Sequence, residues 1–504
     1  MEILTGLISG LISIFHFQYL LVMTLGVILG IIVGALPGLT VTMAVALLVP
    51  FTFGVDAISG ISFLLGVYVG GIYGGSISAI MIRTPGTPAA AATLLDGYPL
   101  MKQGKALKAL QMALFASFVG GIISAMSLIF IAPQLAKIAL KFGPPEYFTL
   151  ALFGLTIIAV VSARNLIKGL ISAFFGILIN TVGLDPVGGV ARFTFGITNL
   201  QSGFPLIPAL IGLFAVSEII RQFGFDKEIV TVKEGDLSNK IQLTFSEFKK
   251  SLKTIIRSSF IGVIIGAIPG SGSAISAFLG YNEAVRNSKH PERFGKGEIE
   301  GVAAAEAANN AVTGSTLIPL LTLGVPGDTV TAVLLGALMI QGLRPGPLLF
   351  ERHIEIVYAI FASIIVVNII MLIVASFGIK WFAKIANVPI KILMPIILVL
   401  CFVGSYSVSG NIYDIEVVIG FGILGYFMQK YGFPATPLLL ANILGPMAER
   451  GLRQSLGLSG GSILIFFSRP ITLILLMLTF ISLMLPIFIN IQDLRRRKRY
   501  NSSP

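Results

Sequence analysis

Four short stretches of the sequence carry residues able to hold a charged solute inside an apolar chain. Pro37-Gly38-Leu39-Thr40 ends the string GALPGLT from Gly34, and Ser271-Gly272, followed by Ser273, ends its near copy GAIPGSG from Gly266. Thr84-Pro85-Gly86-Thr87 and Pro326-Gly327-Asp328-Thr329 form a second pair. Proline removes a backbone donor and glycine frees the backbone, so a helix stops at each point and another starts, exposing unpaired N–H groups. These groups lie at a positive dipole end and suit an anion, a carboxylate in particular. Pro37, Gly38, Leu39, Thr40, Ser271, Gly272, Ser273 and Thr84 are therefore the expected contacts of an anionic solute, the small hydroxyl residues adding neutral donors. The freed carbonyls of Pro85, Gly86, Thr87, Pro326, Gly327, Asp328 and Thr329 suit a coupling cation such as Na⁺. An ordinary loop is the competing reading of any single break; four breaks in two matched pairs favour a site.

Polar residues within apolar runs form the second candidate set, since burying them is costly and they usually face a cavity. GVAAAEAANNAVTGSTLIPLL, from Gly301, contains Glu306, Asn309, Asn310 and Thr313. Glu306, Asn310 and Thr313 are spaced to share one helix face, with Asn309 adjacent. Glu306 and Asn309 are expected to carry a proton or ligate Na⁺, and Asn310 to contact substrate; interhelical hydrogen bonding is the alternative. The corresponding run of the first half presents Tyr68, Tyr73, Ser76, Ser78 and Arg83. Arg83 either attracts an anion or reaches the membrane interface.

Enzyme signatures are weak. His16, His290 and His353 show no metal-ligand spacing, and the single cysteine, Cys401, leaves no cysteine-based metal site or internal disulfide. Gly457-Leu458-Ser459-Gly460-Gly461 fits G-x-S-x-G but sits between apolar helices, where a nucleophile elbow would follow a strand. No P-loop is present, so nucleotide hydrolysis by the chain itself is not expected. The reading is a non-enzyme without a cofactor beyond the coupling ion, Na⁺ or H⁺.

The elements that must position these residues follow from composition. At 55 % hydrophobic and 12 % charged, the 504 residues hold more apolar surface than a soluble core uses. The excess faces lipid, and the recurring apolar runs suffice for about ten to twelve helical spans of a hydrocarbon core about 30 Å thick. Glycines recur every fourth residue around the motifs, at Gly26, Gly30, Gly34 and Gly38, at Gly66, Gly70 and Gly74, and at Gly262, Gly266 and Gly270. Such strips let another backbone approach closely.

A polar stretch at 226–257 divides the chain into similar halves, a first repeat at 1–225 and a second at 258–490, followed by a basic tail at 491–504. GIIVGALPG matches GVIIGAIPG, and TPGTPAAAATLLDG matches VPGDTVTAVLLGAL, in the same order. The basic residues flanking the matched motifs fall on opposite sides, which predicts two repeats of inverted topology, a layout of many secondary transporters. Basic flanks on both sides of Gly262–Gly270 and short arms around Pro269-Gly270 predict a re-entrant helical hairpin; two short tilted spans are the alternative. The fold expected is an all-α polytopic membrane protein with re-entrant hairpins and elevator-like motion. The N-terminus lacks a signal-peptide pattern and is expected to persist as the first hydrophobic element. The net charge of +12 lies in short loops and the tail, which fits basic residues held on the cytoplasmic side better than a nucleic-acid partner.

Beyond these physical readings, GALPGLT, GGIYGGSISAIMIRTPGTPAAAATLLDGYPLMKQGKAL, GAIPGSGSAISAF and EAANNAVTGSTLIPLLTLGVPGDTVTAVLLGALMIQGLRPGP resemble the conserved blocks of the TctA-type permeases of tripartite tricarboxylate transporters. The resemblance covers about Gly26 to Leu110 and Gly262 to Pro347 and continues more weakly to near Gly461. It implies an inner-membrane, multi-pass permease driven by an ion gradient and importing citrate-like or other organic carboxylates. It also implies a small membrane subunit and a periplasmic substrate-binding protein as partners, with membrane lipid around the chain and the C-terminus in the cytoplasm. A passive anion channel is the alternative function, and a membrane-embedded enzyme a weaker one.

Overall fold

The structure is a computed structural model that describes residues 2–162, 166–222, 241–385, 387–388 and 390–484. The basic tail and the stretch at 226–240 lie outside the described residues. In chain order the helices begin with α1 (Glu2–Ile14), α2 (Phe17–Ala35), α3 (Val41–Leu48), α4 (Ala57–Ile82), α5 (Ala90–Lys102) and α6 (Ala106–Ala139). Next come α7 (Pro144–Ser162), α8 (Leu166–Asn180), α9 (Leu206–Leu210), α10 (Ser217–Gln222), α11 (Phe245–Ala267) and α12 (Gly272–Asn287). The chain continues through α13 (Ile299–Ser315), α14 (Leu317–Leu323), α15 (Thr329–Ile340), α16 (Pro347–Arg352) and α17 (Ile354–Ile385). It closes with α18 (Ile390–Ser409), α19 (Ile412–Lys430), α20 (Ala435–Leu458) and α21 (Ile465–Ser468). The strands among the described residues are the two-residue pair β1 (Gly183–Leu184) and β2 (Ala191–Arg192). The chain is an all-α polytopic membrane protein.

Six described helices are long and apolar enough to cross a membrane: α2, α4, α6, α17, most of α18, and α19. Much of the remaining apolar sequence is spent on shorter helices such as α3, α8, α15 and Pro470–Met484. Two of these, α3 and α15, are set off by the Pro-Gly pairs at Pro37-Gly38 and Pro326-Gly327.

The helices fall into two compact units, one formed by Met1–Leu140 with Ile207–Tyr426, the other by Lys141–Leu206 with Phe427–Pro504. In the first unit α2 lies along α4, and its glycine strip is what permits the approach: a methyl group added at Gly30 or Gly34 would strike the backbone of Val67 or Gly71. The second half repeats the arrangement. There α11 lies along α13, with Gly262 and Gly266 against Ala308 and Ser315. The halves also interlock, because α6 packs on α13 whereas α17 packs on α4. As a result α13 is buried throughout from Gly301 to Ser315, and α4 nearly so.

Helix α11 starts inside the polar stretch because a capping box begins it: the Thr244 hydroxyl accepts from the Glu247 N–H at 3.3 Å while the Glu247 carboxylate accepts from the Thr244 N–H at 3.1 Å. The arm before Pro269-Gly270 is consequently 23 residues, and the arm after it 16, both longer than the apolar pattern alone suggested. The two arms pack against each other across the break.

In the second unit α7 and α8 pack on α20. Ion pairs fix the turn around β1 and β2: Arg192 meets Glu449 through two bonds of 2.6 and 3.2 Å, and Arg453 reaches Asp185 at 2.7 Å. The G-x-S-x-G stretch lies at the end of α20 and in the turn that follows, where the Ser459 hydroxyl donates to the Ser462 carbonyl at 2.7 Å.

Candidate functional site

Both Pro-Gly tips adopt one backbone form. Helix α2 ends at Leu36 (φ −80°, ψ 120°) and α11 at Ile268 (φ −85°, ψ 119°). Each end residue donates its N–H three residues back, at 3.2 and 3.1 Å, and Gly38 (φ 89°) and Gly270 (φ 76°) then take the left-handed conformation. Leu39 and Ser271 close matching turns of 3.3 Å onto Leu36 and Ile268. The later breaks match as well. Arg83 (φ 57°, ψ 22°) and Gly324 (φ 71°, ψ 19°) end their helices left-handed, and Thr87 and Asp328 then accept from the N–H three residues on, at 3.2 and 2.7 Å.

Each tip is held against the break of its own half. Gly86 abuts the carbonyl of Gly34, so closely that a methyl group there would overlap it, and the Gly270 N–H donates to the Gly327 carbonyl at 2.7 Å. The Gln222 amide additionally donates to the Gly38 carbonyl at 2.8 Å, clasping the first tip from α10. These contacts use several groups that the sequence offered as ligands. The Ser271 hydroxyl donates to the Ile268 carbonyl at 2.9 Å, the Thr40 hydroxyl accepts from Met43, and the Gly327 carbonyl serves Gly270.

Between the halves two helix N-termini converge. The hydroxyls of Thr42, in the first turn of α3, and Thr329, at the start of α15, lie 2.8 Å apart. Their helix dipoles present positive ends to the same place. Next to Thr329, Asp328 is buried and fully paired: one carboxylate oxygen accepts from the N–H and hydroxyl of Thr331, both at 2.7 Å, and the other from Tyr68 at 2.7 Å. Asp328 therefore caps α15 and ties it to α4.

A second polar cluster surrounds Glu306 on the buried face of α13. Its carboxylate accepts from the hydroxyls of Thr93 on α5 and Ser117 on α6, the latter at 3.0 Å, and from the Asn310 amide at 3.3 Å. Thr313 donates to the Asn310 carbonyl at 2.8 Å on the same face. Among the described residues the side-chain oxygens of Asn309, Asn310 and Tyr73 are buried without hydrogen-bond partners, and no cation pairs with Glu306. A lone carboxylate with unpaired carbonyl oxygens beside it has the donor set of a monovalent-cation or proton site.

The family model described as "Tripartite tricarboxylate transporter TctA family" matches residues 20–440. The chain belongs to the TctA family. A protein from Agrobacterium vitis described as an uncharacterized 52.8 kDa protein in the TAR-I ttuC' 3'region is 37 % identical over 437 residues, 86 % of each chain. A second Agrobacterium vitis protein, described as an uncharacterized protein in the TAR-II ttuC' 3'region, is 36 % identical over 234 residues, 46 % of this chain and 97 % of the relative. No solved structure matches the chain.

In this TctA-family chain the structure brings most of the sequence-derived candidates into three places. Pro37 to Thr40 lie at the tip joined through Thr42 to Asp328 and Thr329; Thr84 to Thr87 pack near Gly34 and Gly75; Glu306, Asn309 and Asn310 form the α13 cluster. Ser273 is half-buried, and Gly272 (φ 70°) faces open space. Thr93, Ser117 and Gln222 escaped the sequence reading because each is a single polar residue whose role depends on a partner far along the chain. Asp96 escaped as well. It is buried and accepts from the N–H groups of Gly297 and Glu298, both at 2.8 Å, and from Tyr281 at 2.9 Å, which anchors the start of α13.

Proposed function

We propose that this TctA-family chain is the permease of a secondary transporter that imports citrate-like tricarboxylates or other organic carboxylates across the cytoplasmic membrane, driven by a Na⁺ or H⁺ gradient. The observation that carries the proposal is the meeting of Thr42 and Thr329 at 2.8 Å where the N-termini of α3 and α15 converge. Two positive dipole ends with two neutral hydroxyls suit a carboxylate in a membrane interior. The Glu306 cluster, with Asn309 and Asn310, is the coupling-ion site of this reading. Matched torsion angles at both tips and both later breaks, together with the placement of basic flanks, support two inverted repeats with re-entrant hairpins.

All tip- and break-bearing helices fall in one compact unit, which supports their moving as one body in an elevator-like cycle. A three-component family supports a small membrane subunit and an external substrate-binding protein as partners, and the positive-inside pattern supports a cytoplasmic C-terminus. Uptake of labelled citrate, succinate and acetate into proteoliposomes, with and without Na⁺ and proton gradients, tests the proposal. Accumulation of the di- or tricarboxylate against its own gradient is expected. Flux indifferent to any imposed gradient would instead mark a passive channel.

A further inference from the structure

The two later breaks open on the same left-handed turn yet differ in the residue that makes it. Where the second half has Gly324, the first half places Arg83 in the same left-handed conformation, at φ 57° against 71°. Glycine adopts this region freely; an arginine there is strained, and such strain gathers at functional sites. The Arg83 side chain is exposed and its guanidinium lies 5.7 Å from the centre of the Tyr98 ring. The Lys102 ammonium approaches the same ring at 5.1 Å. Among the described residues neither cation has a carboxylate within ion-pair distance. Two cations are thus gathered on one aromatic ring, beside a broken helix, with no anion to neutralise them.

The geometry points to an anion subsite formed by Arg83 and Lys102 on Tyr98, which takes a solute bearing at least two carboxylates next to the Thr84-Pro85-Gly86-Thr87 break. Two cations on one ring match two carboxylates of one molecule, and the planar guanidinium pairs with a carboxylate through two parallel bonds. Lys102, Lys105 and Lys108 mark this end of α5 as cytoplasmic, so the subsite stands where an imported substrate leaves. The assignment rests on the carboxylate-import reading above and adds the residues that favour polycarboxylates. The alternative ligand of the same cations is the phosphate of an anionic lipid.

Replacing Arg83 by glycine copies the partner half and relieves the strain, so it separates function from folding. Equilibrium binding of labelled citrate, succinate and acetate is measured for wild type, Arg83→Gly, Arg83→Lys and Lys102→Gln, with the thermal midpoint of each. Arg83→Gly is expected to keep or raise the midpoint while weakening citrate about tenfold, the scale of one charge-assisted pair. Arg83→Lys should recover part of the loss, and Lys102→Gln should weaken citrate and succinate but not acetate. Citrate binding by Arg83→Gly equal to wild type overturns the subsite. So does an effect of Arg83→Gly confined to stabilisation by added phosphatidylglycerol, which assigns the cations to lipid. A wild-type protein that binds none of the three acids counts against the carboxylate reading itself and removes the subsite with it.

Discussion

The Tyr68 hydroxyl donates to the Asp328 carboxylate at 2.7 Å, joining a helix of the first half to the break of the second. Both residues are buried. Tyr68→Phe leaves one oxygen of a buried carboxylate unpaired, at a cost of about 1–3 kcal/mol. The thermal midpoint of the purified protein should fall. A double-mutant cycle with Asp328→Asn should show that the two changes do not add, and simple additivity would deny the coupling.

Glu306 is the sole carboxylate of its cluster, so its charge and its size can be separated. Glu306→Gln keeps the shape and most hydrogen bonds but cannot carry a proton or balance Na⁺. It should remain folded in the membrane while gradient-driven accumulation drops by about tenfold or more, with exchange across an equilibrated membrane less affected. Glu306→Ala strands the donors of Thr93 and Ser117 and should also lower the thermal midpoint. Undiminished accumulation by Glu306→Gln would remove this residue from the coupling site.

Two glycines at the breaks are needed for different reasons. Gly86 lies against the Gly34 carbonyl, and an added methyl group meets fixed backbone, so Gly86→Ala should reduce folded yield severely. Gly272→Ala meets open space and faces only the penalty of its positive φ, about 1 kcal/mol. Size-exclusion profiles and thermal midpoints of the two variants should rank in that order.

Outside the spans, Asp185 sets a pH dependence. The Val187 N–H at 2.9 Å and the Arg453 guanidinium at 2.7 Å hold its carboxyl at about 2, below the ordinary 3.8. A carboxyl depressed in the folded state stabilises it above the unfolded pKa, and that contribution is lost as pH falls from 3.8 towards 2. The thermal midpoint of wild type should decline in this window more steeply than that of Asp185→Asn. Parallel profiles would show that the Asp185–Arg453 pair contributes nothing.

Features set by local chain chemistry were legible in the sequence. Pro37-Gly38 and Pro269-Gly270 announce their breaks because no helix continues through them, and Glu306, Asn310 and Thr313 share a face because their spacing requires it. What was not legible depends on which distant segments meet. Thr93, Ser117 and Gln222 are unremarkable in sequence, and Asp96 gains its role only when α13 starts beside it. The Ser271 hydroxyl, expected to face a ligand, turns back to the carbonyls of its own arm because a helix end leaves acceptors close by. The starting point of α11 was hidden by a polar stretch that a capping box turns into helix.

The proposed carboxylate site lies where the N-termini of α3 and α15 meet. Thr40→Val is a poor probe, because the Thr40 hydroxyl caps α3 and its loss costs about 1 kcal/mol of helix stability. Thr42 and Thr329 have no capping role, and valine preserves their volume. Equilibrium binding of labelled citrate to detergent-solubilised Thr42→Val/Thr329→Val, compared with wild type, is the direct measurement. A drop in affinity of about tenfold or more, with an unchanged thermal midpoint, is expected; wild-type affinity in the double variant would show that the carboxylate does not bind between Thr42 and Thr329.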